Sequence, residues 1–511
     1  MNGELKINKK FCTAMISSII WFMAAHGYRM CNLIYFHDTL LNAVRADIAY
    51  QESLGRFMQP FVILLLGSIT SSWLISVTAI LFLGLSVWLV CDIFDIEGNA
   101  GIFFVAGILI CNNVLTVANY TFLPWLDVYA IALFFALLGV ELIKKGTAWR
   151  NIAGCVCFIV SMGLYQAYIS VGMAAAVIIL LKELYEGTKS KEFLKKAWKY
   201  PVSFLASGVS YYMIYRIVLK VKGISESNAY NGLGGVTKFE FSAIPGLIGI
   251  TYYNFFAFLS DIGVYASGKV HGIQINSILH KAIIVINIFV LAVVIVGIIR
   301  INIKKKNSFS QIALQCLLLV LFPMAANFVC FMSKGTEHGL MVYGILFLYI
   351  LALLILKENV KLAERGKRKD LAFILLLPVA WLVLNNIVFS NQIYVKAHLQ
   401  EENYQSIMTR IVYQIENTEG YKWGETPVAF LGIFGRSDYI PKDDYFDQIG
   451  TGVTPFTNNA TYINYMKYHL GANINLTEMP VTEKIGEDMP CFPEPGYIRY
   501  IDDVLVVKIS D

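Results

Sequence analysis

Apolar segments long enough to cross a membrane recur through most of this chain, and they limit its possible folds more than any other feature. A bilayer-spanning helix needs about 20 mostly apolar residues. Roughly eleven segments of this kind are found by that template, near 12–34, 70–92, 100–118, 127–144, 150–165, 166–183, 201–221, 279–300, 309–331, 339–357 and 370–389. Of the 511 residues, 57% are hydrophobic and 15% are charged, against about 25% charged residues in soluble domains. The sequence therefore predicts an α-helical polytopic membrane protein.

The sequence allows two alternative structures for each of two stretches. Residues 57–69 fit either a short helix at the membrane interface or the beginning of a longer second span. Residues 150–183 fit either one bent segment or a tight hairpin around 164–167.

Basic residues are concentrated in alternate loops, and this bias orients a membrane protein. The dense clusters lie at 144–150, 182–199, 300–306 and 357–369. Because the N-terminus is also basic, the pattern predicts a cytoplasmic N-terminus and an odd number of spans. The first apolar run is longer than the core of a signal peptide and lacks a clear cleavage site, so a retained first span is predicted.

The last 120 or so residues have a different composition. Apolar residues recur at helical spacing between Tyr404 and Ile415, 428–434 resembles a buried strand, and a short helix is indicated near 462–466. Residues 497–509 predict a hairpin closed by an acidic turn. We therefore predict a transmembrane domain over 1–390 and a small extracytoplasmic α/β domain over 391–511.

Several classes of protein and site are disfavoured. Eight of the nine cysteines lie in or beside apolar segments, without the spacing of a disulfide framework or a zinc site. Asp443 with Asp444, and Asp502 with Asp503, are better explained as turn residues than as metal ligands. No basic tract alternates with aromatic residues, so nucleic-acid binding is not predicted. No metal and no cofactor is expected.

Polar residues that can carry chemistry are concentrated in loops predicted to share one membrane face. A carboxylate there can act as a general base on a sugar hydroxyl, and a basic side chain can bind a phosphate, arginine through its planar fork. The candidate catalytic acids are Asp38 and Asp127. The candidate substrate-binding residues are His37, Asp47, Arg56, Trp125, Tyr165, Gln166, Lys334 and His338.

Most of these candidates also have a structural interpretation. Asp127 begins a predicted span and fits a helix cap as well as a catalytic role. Trp125 and Tyr165 fit interfacial anchors as well as sugar-stacking residues. Lys334 and His338 follow a long apolar run and can simply mark its end.

The first predicted external loop has the strongest candidate. Asp47 and Glu52 are better explained as a solvated helix face. Asp38 lies just beyond the first span, beside His37 and between bulky apolar residues, so a functional role is favoured. Arg56 lies at a membrane boundary and fits either a phosphate ligand or an arginine that extends to the interface.

Several short motifs resemble the bacterial GtrII-type glucosyltransferase family. The beginning of the chain matches through YFHDTL at 35–40, LGRF at 54–57 and Pro60. Further matches are NYTFLPWLD at 119–127 and LYQA at 164–167. The order of spans and a tail that begins with a helix also fit, so the resemblance covers most of the chain.

The resemblance implies a GT-C-like enzyme that takes a hexose, expected to be glucose, from a polyprenyl-phosphate carrier. The acceptor would be a cell-surface glycan or its lipid-linked precursor, and the location the bacterial plasma membrane. Asp38 would deprotonate the acceptor hydroxyl, with inversion, while Arg56 or Lys334 holds the donor phosphate. Many relatives carry two adjacent acids where this chain has His37 and Asp38, so either one acid acts or Asp47 replaces the second.

Other functions remain as alternatives. A transporter or flippase of lipid-linked glycans would call for charges inside several spans and for repeated halves. The sequence shows few charges inside the predicted spans and no obvious repeat. A non-catalytic scaffold would not require polar residues in several loops on one face. A GT-C enzyme that uses another polyprenyl-phosphate sugar fits the sequence equally well.

Overall fold

A computed structural model describes residues 8–45, 47–227, 241–260, 278–362, 369–432, 456, 458–477 and 488–510. Nineteen helices cover most of this part of the chain. They are α1 (Lys9–Cys31), α2 (His37–Leu41), α3 (Ile48–Ser53), α4 (Gln59–Leu66), α5 (Ser72–Ile93), α6 (Asn99–Ile110), α7 (Asn113–Thr121), α8 (Leu126–Lys145), α9 (Ala148–Tyr165), α10 (Ile169–Tyr185), α11 (Ser190–Ala197), α12 (Lys199–Lys222), α13 (Ile244–Ser260), α14 (Ile278–Lys305), α15 (Phe309–Ala326), α16 (Phe328–Met332), α17 (Phe347–Leu362), α18 (Lys369–Glu416) and α19 (Asn459–His469). Four strands follow the bundle: β1 (Pro427–Leu431), β2 (Asn475–Leu476), β3 (Ile498–Ile501) and β4 (Val504–Lys508).

The predicted fold class is confirmed, although the spans differ in detail. Among the described residues, nine helical segments are long and apolar enough to cross a membrane, or ten if a bent pair counts as one span. That pair is α6 and α7, which meet at 48°. Asn112 separates them because its side chain accepts a hydrogen bond from Leu115 N and so caps α7 (2.8 Å).

Two further segments depart from the prediction of about eleven spans. The predicted span 339–357 begins with 3₁₀ turns, which leave α17 only 16 residues. Gly344 in these turns lies so close to Ala326 O that no side chain fits there. Helix α13 belongs to a segment that is long and apolar enough to cross a membrane, and it is not among the predicted spans.

The stretch 150–183 forms a hairpin. Phe158 and Gly172 lie on either side of the turn, and a Cβ placed on Gly172 would be 3.1 Å from Phe158 Cε1. A continuous helix would separate two residues fourteen positions apart by about 21 Å. The ambiguous segment 57–69 forms the short helix α4, which ends at Gly67 (φ +86°) before α5 begins.

The ends of the helices sort onto two faces. At the first face, Lys144 Nζ donates to Ile93 O (2.6 Å), Lys182 pairs with Asp95 (2.5 Å) and Lys305 pairs with Glu358 (2.8 Å). We call this the basic face. The opposite ends of these helices carry the loops 32–58, 165–168 and 333–338, which we call the site face.

A small sheet forms at the C-terminal end of the chain. Its strand order is β2-β1-β4-β3, with β1 parallel to both neighbours and β3 antiparallel to β4. The predicted hairpin, its acidic turn at Asp502 and Asp503, and the helix near 462–466 are present. Asp443 and Asp444 lie outside the described residues.

The sheet, α19 and the last turns of α18 enclose a hydrophobic core of their own. We call this part of the chain, residues 404–510 as far as they are described, the C-terminal unit. Helix α18 is about 70 Å long and joins this unit to the bundle. The predicted domain boundary at 390 lies inside α18, and that division stays a prediction.

Candidate functional site

Asp38 lies in the first turn of α2, the helix that follows the first span. The chain is extended at Phe36, and α2 contains only five residues. Asp38 Oδ1 lies 3.3 Å from His37 Nδ1, and the two side chains are 19% and 20% exposed. The carboxyl group is therefore accessible from outside while it is largely surrounded by protein.

The backbone before Arg56 is fixed by two side chains from other helices. Gln166 Nε2 donates to Leu54 O (2.6 Å) and to the Tyr211 hydroxyl oxygen (2.9 Å). The Tyr211 hydroxyl donates to Gly55 O (3.0 Å). Gly55 has φ +87°, a conformation that favours glycine. The position of Arg56 is thus set by α12 and by the α9–α10 turn.

The Arg56 guanidinium lies between a polar and an aromatic partner. Nη1 donates to Gln51 Oε1 (2.9 Å), and the group lies over the Tyr165 ring, 5.3 Å from its centroid. Stacking and a single hydrogen bond leave most of the guanidinium donors available. Its Nε is buried without a hydrogen-bond partner, so the donors that remain for an anion lie at the Nη atoms.

His338, in the loop 333–338, is affected by two charged residues of the first loop. Burial lowers the pKa of its imidazole below the usual value, ionised Asp38 raises that pKa, and Arg56 lowers it. Asp38 and Arg56 therefore both lie within electrostatic reach of His338, although the three residues come from different parts of the site face. The lowered pKa makes His338 neutral at pH 7, so it can donate or accept hydrogen bonds there.

Glu337, next to His338, is not among the site residues predicted from the sequence. Its side chain is buried, and burial raises its pKa to about 7, against the opposing effect of Asn327, Asn254 and Cys330. The acid is therefore partly protonated near neutral pH. An isolated glutamate in a loop gives no sequence signal that would distinguish this environment from a solvated one.

Replacement of Glu337 by glutamine should change how stability depends on pH. The pKa of Glu337 is about 7 in the folded protein, above the usual 4.5. The stability that the protonated acid contributes is therefore fully present below pH 4.5, and it is lost as the pH rises through 7. Glu337→Gln resembles the protonated form, so its melting temperature should exceed that of the wild type increasingly up to about pH 8. The gain should be at most roughly 3 kcal/mol.

Thermal unfolding in one detergent across this pH range measures the difference. Glu419→Gln is the matched control, because it makes the same chemical change at an exposed position of the C-terminal unit. A pH-independent difference between Glu337→Gln and wild type would contradict the assignment.

Asp127 lies in a buried ion pair. Its Oδ2 is 2.9 Å from Arg45 Nη1, and the two side chains are 0% and 1% exposed. Arg45 also donates to Gly67 O (2.7 Å) and Pro124 O (3.2 Å). Asp127 Oδ1 accepts from Val128 N (2.8 Å), but α8 begins at Leu126 and its N-cap residue is Trp125, without a side-chain capping hydrogen bond, so the predicted cap at Asp127 is wrong. The Arg45–Asp127 ion pair therefore connects both ends of the segment 45–67 to the beginning of α8.

The remaining candidates lie in different environments. Asp47 is exposed and caps α3 by accepting from Tyr50 N (3.0 Å). Glu52, interpreted from the sequence as solvated, is buried and paired with Lys222 (2.5 Å). Trp125 is buried in the bundle core. Lys334 is exposed and forms no ion pair within the described part of the chain.

The described residues include no group of three or more His, Cys, Asp or Glu side chains arranged to hold a metal ion. The charges on the site face are instead provided by arginine, lysine and single acids.

A multi-span helical bundle followed by a small C-terminal sheet is the architecture of a GT-C-like polytopic membrane protein. The chain belongs to the family described as Glucosyl transferase GtrII, whose model matches residues 27–356. It is therefore a glycosyltransferase, with a sugar donor and an acceptor as its substrates, and the resemblance noted in the sequence is confirmed. No curated protein and no solved structure matches the chain.

Proposed function

We propose that this enzyme transfers glucose from a polyprenyl-phosphate carrier to a cell-surface glycan or its lipid-linked precursor. The proposal is carried by three side chains in loops of the site face of a GtrII-family glucosyltransferase: Asp38 in the first turn of α2, Arg56 in the loop held by Gln166 and Tyr211, and His338, which both charges affect. The three groups provide a base, an anion-binding cation and a neutral hydrogen-bonding group where a membrane-bound carrier and a polar acceptor can meet.

The proposed reaction is a single displacement with inversion. Asp38 accepts the proton of the acceptor hydroxyl, whose oxygen forms a bond to the anomeric carbon. The bond between that carbon and the phosphate oxygen breaks, and its electron pair leaves with the carrier phosphate. Arg56 stabilises the developing charge on the phosphate. The neutral imidazole of His338 forms a hydrogen bond to the sugar or to the phosphate.

Other predicted site residues are given indirect roles. Gln166 and Tyr165 position Arg56 through the loop backbone and the ring face. Asp127 acts through Arg45 on the shape of the first loop. His37 contacts Asp38 and orients its carboxyl group. Exposed Lys334, four residues before His338 in the same loop, is a second phosphate ligand, and Asp47 is assigned its capping role.

We further propose that the enzyme lies in the bacterial plasma membrane with its N-terminus and basic face in the cytoplasm. The support is the distribution of lysines, which pair with acids and carbonyl groups at that face. Basic loops are retained on the cytoplasmic side of membranes. The site face and the C-terminal unit then lie outside, where surface glycans are found.

The function is tested with purified protein and radiolabelled polyprenyl-phosphate hexoses. We expect label to move from the glucose carrier to the glycan acceptor, and the transfer to continue in EDTA. Transfer only from a mannose or arabinose carrier would change the donor assignment. Movement of the intact carrier across a liposome membrane without formation of a glycosidic bond would replace the enzyme proposal by the flippase alternative.

Arg56→Lys should weaken the binding of the donor. Lysine keeps the charge but loses the planar fork and the stacked contact with Tyr165. We expect the KM for the donor to rise about tenfold, a loss of about 1.4 kcal/mol in binding, while expression and membrane insertion stay normal. Initial rates over a range of donor concentrations measure this effect.

Arg216→Lys is the matched control for Arg56→Lys. Arg216 is an exposed arginine that pairs with Glu226 (3.2 Å), so this variant should keep the wild-type KM. Unchanged donor affinity in both Arg56→Lys and Arg56→Ala would make Lys334 the better phosphate ligand.

A further inference from the structure

The C-terminal unit lies beyond the matched residues 27–356 of the family, and the proposed chemistry gives it no task. It does, however, contact the short helix that carries Asp38. Leu40 of α2 is 1% exposed and belongs to the core of the C-terminal unit rather than to that of the bundle. Other members of this core include Tyr404, Met408 and Tyr465.

Polar and aromatic contacts add to this apolar one. Asn464 Nδ2, on α19, donates to Leu40 O (2.9 Å). Just before α2, the Tyr35 ring packs edge-on against Tyr465 and His469, with centroid separations of 6.2 and 4.8 Å. Helix α19 therefore contacts both the segment before α2 and the last residues of α2.

The bundle holds the same segment from the other side. Glu401, on the long helix α18, accepts a hydrogen bond from Tyr35 N (2.9 Å). Phe36 packs on Tyr120, with ring centroids 4.6 Å apart. The segment before Asp38 is thus enclosed between the bundle and the C-terminal unit.

Helix α2 needs such support because it has only five residues. Helices shorter than about 12 residues are marginal in water without tertiary contacts. We propose that the C-terminal unit is a positioning element, in which Asn464 and the core around Leu40 hold α2 so that the Asp38 carboxyl group faces the acceptor. The link to catalysis rests on the proposed role of Asp38, whereas the link to the structure of α2 does not.

Asn464→Ala in the full-length protein tests the proposal with two measurements. The first is hydrogen exchange of the α2 backbone amides, two of which donate within the turn, Leu40 N to Phe36 O and Asn42 N to Asp38 O. We expect faster exchange there and unchanged exchange in α5 and α8. The second is steady-state transfer, where kcat should fall about tenfold to a hundredfold with the donor KM unchanged, since small misplacements of a reacting group cost rates of this order.

Lys467→Ala is the matched control, because Lys467 is exposed on the same helix and its contact is with its neighbour Tyr468. A second pair of variants distinguishes lost positioning from misfolding. Leu40→Ala should lower kcat, whereas Leu40→Met should keep most of the wild-type kcat, because methionine can fill the same volume.

The outcomes separate this proposal from the proposed function. Unchanged α2 exchange in Asn464→Ala would overturn the structural link, and faster exchange with wild-type kcat would overturn the positioning role. If Asp38→Asn remained fully active, the proposed function would fail, while the exchange measurement would still decide whether the C-terminal unit holds α2.

Discussion

Asp38→Asn should reduce sugar transfer by about 10²–10⁴-fold, the usual cost of losing a positioned general base. Asparagine keeps the size of the side chain and its place in the first turn of α2, so the protein should fold and bind its donor normally. The loss should therefore appear in kcat rather than in the donor KM. Steady-state transfer from radiolabelled carrier by purified protein measures both constants.

Asp92→Asn provides the matched control. Asp92 undergoes the same chemical change but pairs with Lys10 (3.3 Å), whose helix begins at the basic face. Its transfer rate should equal that of the wild type. Full activity in Asp38→Asn would exclude Asp38 as the base, and a complete loss of wild-type transfer in EDTA that Mn²⁺ reverses would introduce a metal into the mechanism.

Asp127→Asn should destabilise the protein by about 3–5 kcal/mol, because it leaves the buried Arg45 guanidinium without a countercharge. This is a large part of the roughly 5–15 kcal/mol that stabilises a typical domain. We expect a sharply lower yield of monodisperse protein and a lower melting temperature. A double variant, Arg45→Met with Asp127→Leu, should be less destabilised than Asp127→Asn, since it removes both charges together.

Glu192→Gln serves as the control, because it breaks the exposed Glu192–Lys196 pair on α11 (2.8 Å) and should leave the melting temperature unchanged. If Asp127→Asn folded with wild-type stability and lost transfer activity, the catalytic role predicted from the sequence would replace the structural one.

The helices were the most predictable part of the fold, because a membrane imposes both a length and an apolar composition on each span. The departures arise where local features override that pattern. The break at Asn112 depends on one capping side chain, and the 3₁₀ turns near Gly344 depend on close approach to Ala326. Neither contact leaves a signature in a hydropathy pattern.

The sequence suggests a site residue only where a charged residue type lies at the end of an apolar run. Asp38 and Arg56 are predicted as site residues because each follows or precedes an apolar run, and their roles stay predictions. The partners of Glu52 and Asp127 could not be identified, because Lys222 and Arg45 lie 170 and 82 residues away in the sequence. A buried pair and a solvated charge look alike until the tertiary contacts are known.

The hydrogen bond between Asn464 and Leu40 joins residues 424 positions apart, and this separation constrains how the protein is made. The first loop is synthesised long before α19, and at about 5–20 residues per second the delay amounts to roughly 20 to 85 seconds. During that interval Leu40 has no apolar partner from the C-terminal unit. If the C-terminal unit positions α2 as proposed, a chain that ends before α19 should be inserted in the membrane and still lack transfer activity.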